Sequence, residues 1–132
     1  MTGNRLYKSE KLCSRLAIAR LFGGEAGRGT TAYPLRAVYA VTPDDASPTR
    51  FLISIPKKRH RRAVARVLLR RRVREAYRLN RTRLADVAAA TRCHVDIAFL
   101  YLSNDVADYR RIEQQMCLIL DRIAADISNP QE

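Results

Sequence analysis

The residues best suited to chemistry in this chain are the arginines and lysines of one segment, residues 57–83. These 27 residues hold 13 of the 25 basic residues and a single acid, Glu75, so their net charge is +12. The other 105 residues carry 12 basic and 12 acidic groups and are neutral as a set. Arginine predominates, and its planar guanidinium group binds phosphate through paired hydrogen bonds. The segment therefore favours a phosphate-bearing polyanion as partner.

Helical spacing arranges the arginines of this segment in a row. At 100° per residue the row consists of Arg66, Arg70, Arg74 and Arg78, with Arg71 and Arg81 beside it. The opposite, core-facing side consists of Ala65, Leu69, Val73 and Ala76, with Leu68 and Arg72 near its edge. Like charges four residues apart destabilise a helix by about 0.2–0.5 kcal/mol per pair, and only Glu75 offsets them here. An ordinary charged surface would mix signs, so the row predicts an anionic ligand.

A second basic cluster precedes the helix. Its members are Lys57, Lys58, Arg59, Arg61 and Arg62. Cationic side chains and unpaired backbone N–H groups at a helix N-terminus together form a phosphate site. We expect His60, which lies among these cations, to lie beside a phosphate rather than to act as a base.

Other reactive residues show no catalytic or metal-binding arrangement, so we predict neither kind of site. His60 and His94 are far apart and have no metal-ligand spacing to the cysteines. Asp105 and Asp108 flank a predicted helix start, where capping is their natural role. Cys13, Cys93 and Cys117 are odd in number and widely spaced, which indicates reduced thiols and a cytoplasmic location.

The remaining sequence provides elements that can position the basic segment. The predicted strands are residues 33–41, 51–55 and 95–102, and the last of these is apolar on both faces, which predicts a central position in the sheet. The predicted helices are residues 10–22, residues 60–84 and a last amphipathic helix after Asp108, whose apolar side consists of Ile112, Met116, Leu120 and Ile123. Residues 25–31 are predicted as a loop, whereas residues 85–92 could prolong the basic helix or form a loop. The longest apolar run, residues 97–102, is too short to span a membrane, and no secretory signal is evident. We predict one α+β domain over residues 1–132, ordered from about residue 5 to 128, with the order αββαβα and one layer each of sheet and helices.

Residues 56–79, PKKRHRRAVARVLLRRRVREAYRL, resemble the signature of the bacterial ribonuclease P protein subunit, A-V-x-R-N-x-x-K-R-x-x-R-E. The matching residues are Ala63, Val64, Arg66, Arg70, Arg71, Arg74 and Glu75, with Arg70 in place of the usual Lys. Val67 occupies the position of the family's Asn, and Leu68 that of a frequent Arg. The contact that Asn makes is therefore either missing here or made differently.

This resemblance implies a two-layer αβ sandwich with a mixed sheet and a left-handed βαβ crossover. It also implies that the chain assists a catalytic RNA: the basic helix contacts that RNA, and a cleft between the first helix and the sheet holds the single-stranded 5′ leader of precursor tRNA. By position, Ile18, Phe22 and Tyr39 are the cleft residues. Hydrolysis would then depend on Mg²⁺ held mainly by the RNA, and no obligate protein partner is implied. A ribosomal or general nucleic-acid-binding protein is the alternative, and a stand-alone nuclease is a third class.

Overall fold

The computed structural model describes residues 28–43 and 49–128, which form a mixed sheet and the helices that cover one of its faces. The elements in chain order are β1 (Arg28–Ala32), β2 (Leu35–Pro43), β3 (Arg50–Ser54), α1 (Ala63–Asn80), α2 (Thr82–Thr91), β4 (Cys93–Tyr101) and α3 (Tyr109–Ser128). The predicted helix over residues 10–22 lies outside the described residues, and so do the predicted cleft residues Ile18 and Phe22.

The strands lie in the order β1-β2-β4-β3. Strand β4 pairs antiparallel with β2 and parallel with β3, and α1 and α2 connect the two parallel strands. Residues 94–99 of β4 are all buried, as expected of a central strand. The predicted central position of this strand and the α+β fold class are confirmed, while the handedness of the crossover stays a prediction.

The main core lies between the sheet and the helices. From α3 it takes Ile112, Met116, Leu120 and Ile123, the residues that the helical spacing predicted, and all four are fully buried. From α1 it takes Leu69, Val73, Ala76 and Tyr77. The Tyr77 ring lies 4.6 Å from Phe51 of β3 and 5.5 Å from Phe99 of β4, measured between ring centroids. Burial of each large apolar side chain contributes roughly 1.5–3 kcal/mol, so this core fixes which side of α1 faces outward.

The prediction of a loop over residues 25–31 was wrong for residues 28–31, because β1 forms there as an edge strand paired with β2, and residues 25–27 lie outside the described residues. The sequence RGTTA shows no apolar alternation. Polar contacts from α3 hold the strand instead: the Arg122 guanidinium donates to the Thr31 carbonyl at 2.7 Å and to the Thr30 hydroxyl at 3.2 Å. Gly29 leaves room for the Arg36 side chain, since a Cβ at this position would lie 2.7 Å from Arg36 Nη2.

The basic helix also differs from its predicted bounds. It begins at Ala63 rather than at residue 60, because residues 56–62 form a turn in which the N–H groups of Arg59 and His60 donate to the Pro56 carbonyl at 3.2 Å. It ends at Asn80, and α2 follows after Arg81, whose backbone remains helical (φ −65°, ψ −22°). Residues 85–92, which the sequence left open, are helical as far as Thr91.

Candidate nucleic-acid interface

The outward side of α1 presents three arginines that form no salt bridge with the rest of the described chain. Arg70, Arg71 and Arg74 are exposed, because the buried stripe from Leu69 to Tyr77 turns the opposite side of the helix away from the core. Within residues 28–43 and 49–128 none of the three makes a hydrogen bond or a salt bridge. Their guanidinium groups therefore remain available to an external anion.

Arg66, the first residue of the predicted row, has a different environment. Its side chain is half-buried, and Nη1 donates to the carbonyl oxygens of His60 and Arg61, both at 2.8 Å. This guanidinium group ties the turn before α1 to the first turn of the helix. Arg66 therefore fixes the direction in which the chain enters the helix.

Arg78, the last residue of the row, pairs with the acid of the segment. Its Nη2 lies 2.6 Å from Glu75 Oε2 and its Nε lies 2.9 Å from Oε1, which is a two-point contact. The hydrogen bond from Arg78 lowers the pKa of the Glu75 carboxyl, and the charges of Arg78 and Arg74 lower it further. The Arg78–Glu75 pair is neutral as a unit, so Arg78 offers less charge to a ligand than Arg70, Arg71 or Arg74.

Two further arginines of the segment are structural. Arg72 Nη1 donates to the Ala107 carbonyl at 2.6 Å, which fastens α1 to the loop before α3. Arg81, which the wheel placed beside the row, is buried with only 8% of its surface exposed. The wheel indicated the role of Arg72 only by its position at the edge of the apolar stripe, whereas nothing in the sequence distinguished Arg81 from an exposed arginine.

The basic turn before α1 is mostly exposed. Lys57, Lys58, Arg59, Arg61 and Arg62 all lie on the surface. The first turn of α1 contains no acidic residue, and Arg62 at the N-cap makes no side-chain capping bond. The N-terminus of α1 thus has no side-chain cap and directly follows a cluster of exposed cations, which is an arrangement suited to phosphate.

The expectation for His60 was wrong, because this residue lies inside the molecule. It is 6% exposed, its Nε2 lies 2.8 Å from the Ser103 carbonyl oxygen, and its ring is 5.5 Å from the Tyr101 ring. Arg59 Nη1 makes a longer contact, 3.4 Å, with Asn104 Oδ1 of the same loop. His60 therefore fastens the basic turn to the loop that follows β4.

Tyr39, the predicted cleft residue within the described chain, lies on the core face of β2. It is 6% exposed, and its hydroxyl donates to Asp126 Oδ2 at 2.9 Å. Arg28 pairs with the same carboxylate oxygen at 2.5 Å. Burial, together with the neighbouring Asp126 carboxylate, raises the pKa of Tyr39 to about 12. The hydroxyl is thus engaged in the fold, and the contact of this ring with a leader stays a prediction.

The opposite face of the sheet carries a buried polar cluster that the sequence did not reveal. His94 Nε2 lies 2.6 Å from Asp96 Oδ1, and Arg50 contacts both oxygens of the same carboxylate at 3.0 and 3.1 Å. Arg50 of β3 and Asp96 of β4 are register partners in the parallel pair, so the sheet brings together two residues that are far apart in the sequence. Within the described ranges, His, Cys, Asp and Glu residues form no group of three or more that could hold a metal ion.

Comparison with known proteins places this geometry in a family. The family model described as Ribonuclease P matches residues 6–124. The chain belongs to the ribonuclease P protein family. The ribonuclease P protein component of Porphyromonas gingivalis strain ATCC 33277 is 42% identical over 123 residues, covering 92% of this chain and 88% of that protein. The component from strain W83 is 41% identical over the same length and with the same coverage.

Solved structures share the fold at lower sequence identity. The ribonuclease P protein from Thermotoga maritima superposes with a TM-score of 0.65 at 18% identity, covering 86% of this chain and 96% of that one. The Staphylococcus aureus ribonuclease P protein gives a TM-score of 0.63 at 18% identity, covering 92% of this chain and all of that one. These similarities confirm the fold that the arginine signature implied.

Proposed function

We propose that this chain is the protein component of ribonuclease P and binds the ribonuclease P RNA through the outward side of α1 and the basic turn before it. The observation that carries the proposal is the set of three exposed, uncompensated arginines on α1, Arg70, Arg71 and Arg74, in a segment of net charge +12. Membership of the ribonuclease P protein family supports the same function.

The chemistry of this surface is electrostatic. Each guanidinium group that neutralises an RNA phosphate releases a condensed counterion, so binding gains free energy that depends on the salt concentration. Planar guanidinium groups also fix the orientation of the phosphates that they bind. The protein thereby lowers the repulsion between the catalytic RNA and a second polyanion. Lys57, Lys58, Arg59, Arg61 and Arg62 extend the same surface toward the N-terminus of α1.

The proposal extends to substrate, metal ion and location. The substrate is precursor tRNA, whose single-stranded 5′ leader is removed by hydrolysis to give the mature 5′ end. Mg²⁺ for this reaction is held mainly by the RNA, and no step is assigned to a metal ligand of the protein. A cytoplasmic location agrees with the free thiols of Cys93 and Cys117. Across the described residues, no helix combines the length and apolar character needed to span a membrane.

The test is cleavage of a precursor tRNA by a ribonuclease P RNA at low Mg²⁺ with and without this protein, using the RNA from the same genome. We expect correct 5′ cleavage only when both are present and no cleavage by the protein alone. Tight, salt-sensitive RNA binding without any stimulation of cleavage would contradict the proposal and favour a general RNA-binding protein. Magnesium-dependent cleavage by the protein alone would indicate a nuclease.

A further inference from the structure

The first half of α1 exposes apolar side chains within the basic segment. Val64, Val67 and Leu68 are 80%, 44% and 38% exposed. Residues three and four apart are neighbours on a helix surface, so these three side chains form one continuous surface, which we call the apolar patch. Single exposed apolar residues need no explanation, but three neighbours at the N-terminal end of a cationic helix indicate a contact.

Cations lie on both sides of the apolar patch. Arg61 and Arg62 precede it, Arg70 and Arg71 follow it, and all four are exposed. Arg71 comes four residues after Val67, which is about 6 Å along the helix axis. The intervening Arg66 does not cover the patch, because its guanidinium group is bound to the backbone carbonyls of the preceding turn. An apolar centre with cations on either side matches a nucleotide, whose base and ribose have apolar faces and whose phosphates are anionic.

We propose that the apolar patch binds one unpaired nucleotide of the ribonuclease P RNA. The base or ribose face packs on Val67 and Leu68, and the adjoining phosphates bind Arg70 and Arg71. Proteins recognise RNA mainly at unpaired nucleotides, whose unstacked bases pack against side chains. This proposal rests on the function proposed above and specifies what part of the RNA meets the N-terminal half of α1.

The charge and size of the apolar patch favour RNA over a protein partner. A second copy of this chain would bring another segment of charge +12 to the same place, which is repulsive. A stable protein interface buries about 800 Å² on each partner, more than three partly exposed side chains supply. One nucleotide, in contrast, needs only a few neighbouring side chains for contact, and its phosphates complement the flanking arginines.

The apolar patch contains the two positions at which this chain departs from the family signature. The signature has Asn at the position of Val67 and often Arg at that of Leu68, and both of those residues form hydrogen bonds that Val and Leu cannot form. We infer that the RNA matched to this chain presents an apolar face at this point. Val67→Asn should therefore weaken binding to the RNA from the same genome.

The test is the dissociation constant for that RNA, measured over a series of KCl concentrations with the full-length chain. For the double variant Val67→Ser, Leu68→Ser we expect a Kd about 5- to 30-fold higher, because apolar contact area is lost. The slope of log K against log[KCl] should not change, because no phosphate contact is removed. The matched control is Leu118→Ser, which replaces a leucine that is 41% exposed in the middle of α3. This variant should leave Kd unchanged. Val67→Ile with Leu68→Met, which keeps the surface apolar, should bind like the wild type.

Three results would overturn the proposal while leaving the proposed function intact, provided that the wild type stimulates cleavage. They are an unchanged Kd for the serine variant, an altered salt slope, and an equal loss in the isoleucine–methionine variant. A photo-cross-linking residue at position 68 gives a second measurement: attachment to an unpaired nucleotide of the RNA supports the proposal, and attachment to a base-paired one contradicts it. Failure of the wild type to bind the RNA would instead refute the proposed function.

Discussion

Helices α1 and α3 pack against the same sheet and against each other, yet their charges are arranged in opposite ways. Residues 63–80 contain six arginines and one acid, a net charge of +5, whereas residues 109–128 contain three arginines and three acids. Both helices bury an apolar stripe of similar character. The difference therefore lies in what each outward side contacts rather than in how each helix is held.

Five of the six charged groups of α3 contact other residues of the described chain, and Arg110 is the exception. Arg122 binds the backbone of β1, Asp121 pairs with Arg83 of α2 at 3.0 Å, and Asp126 pairs with Arg28 and accepts a hydrogen bond from Tyr39. In α1 the central arginines of the outward side have no such partner in the described part of the chain. The comparison shows that charge on α3 serves the fold, while the charge of Arg70, Arg71 and Arg74 repels itself until an anion binds.

The largest expected effect comes from removing that uncompensated charge. In the triple variant Arg70→Ala, Arg71→Ala, Arg74→Ala we expect the slope of log K against log[KCl] to fall by about 2 to 3, since each phosphate contact contributes about 0.7–0.9. Affinity at physiological salt should fall by roughly two orders of magnitude. The unfolding free energy should stay the same or rise, because repulsion between neighbouring arginines is removed. Filter binding and denaturant unfolding measure the two quantities.

The matched control takes the same charge from α3. The variant Arg110→Ala, Arg111→Ala, Arg122→Ala has the same net charge as the α1 variant but leaves the central arginines in place. We expect a nearly unchanged salt slope and some loss of stability, because the contacts of Arg111 and Arg122 with the backbone of residues 31–33 disappear. Equal losses of slope in both variants would mean that total charge, not the position of the arginines on α1, governs RNA binding.

A smaller effect should separate Arg66 from Arg71 within α1. Lysine keeps the charge, but its side chain is one atom shorter than that of arginine, so its ammonium group does not reach the position from which Arg66 Nη1 donates to two carbonyl groups. Arg66→Lys should therefore raise the Kd for RNA by about 3- to 10-fold with an unchanged salt slope, through loss of about one net hydrogen bond that positions the basic turn. Arg71→Lys, the control, should change Kd by less than Arg66→Lys. A reduced slope in Arg66→Lys would show that Arg66 itself contacts phosphate.

Much of the fold could be predicted because apolar periodicity determines it. The four core residues of α3 and the buried stripe of α1 follow from helical spacing, and the central position of β4 follows from its apolar character on both faces. Strand β1 was not predicted because its own side chains show no apolar pattern. It is held by backbone pairing with β2 and by contacts from Arg122, which is distant in the sequence. The start of α1 was misplaced because residues 60–62 contain no Gly or Pro that would end a helix, and only the burial of His60 against the β4–α3 loop reveals the turn.

The sequence predicted which residues form the candidate site. It did not predict which of their side chains bind within the fold and which remain available to a ligand. Spacing alone places Arg66 and Arg70 in one row, yet the first is bound by carbonyl groups that the turn brings close and the second is exposed. Arg81 is likewise indistinguishable in sequence from an exposed arginine, although tertiary packing buries it. Which cations remain available to a ligand depends on contacts between distant parts of the chain, and periodicity carries no information about those contacts.

The smallest effect should come from Glu75, which makes Arg78 resemble the compensated arginines of α3. Glu75→Gln removes the charge that neutralises Arg78, so RNA binding should tighten by about 2- to 5-fold and the salt slope should steepen by at most about 0.9. Unchanged affinity and slope would place Arg78 outside the RNA contact. Asp121→Asn, which releases Arg83 of α2 from its exposed ion pair, is the control and should leave both quantities unchanged.

The same pair predicts a dependence of stability on pH. The hydrogen bond from Arg78 lowers the pKa of Glu75 below its ordinary value of 4.5 in the folded chain. The contribution of the pair to the unfolding free energy is therefore fully present above that value and disappears as the pH falls through the folded pKa. It should be small, because the Glu75 side chain is 45% exposed and water screens the pair. Denaturant unfolding from pH 7 to pH 3 should show that the unfolding free energy of the wild type slightly exceeds that of Glu75→Gln at neutral pH and that this difference disappears at the acidic end. A difference that stays constant with pH would mean that the ion pair does not stabilise the helix.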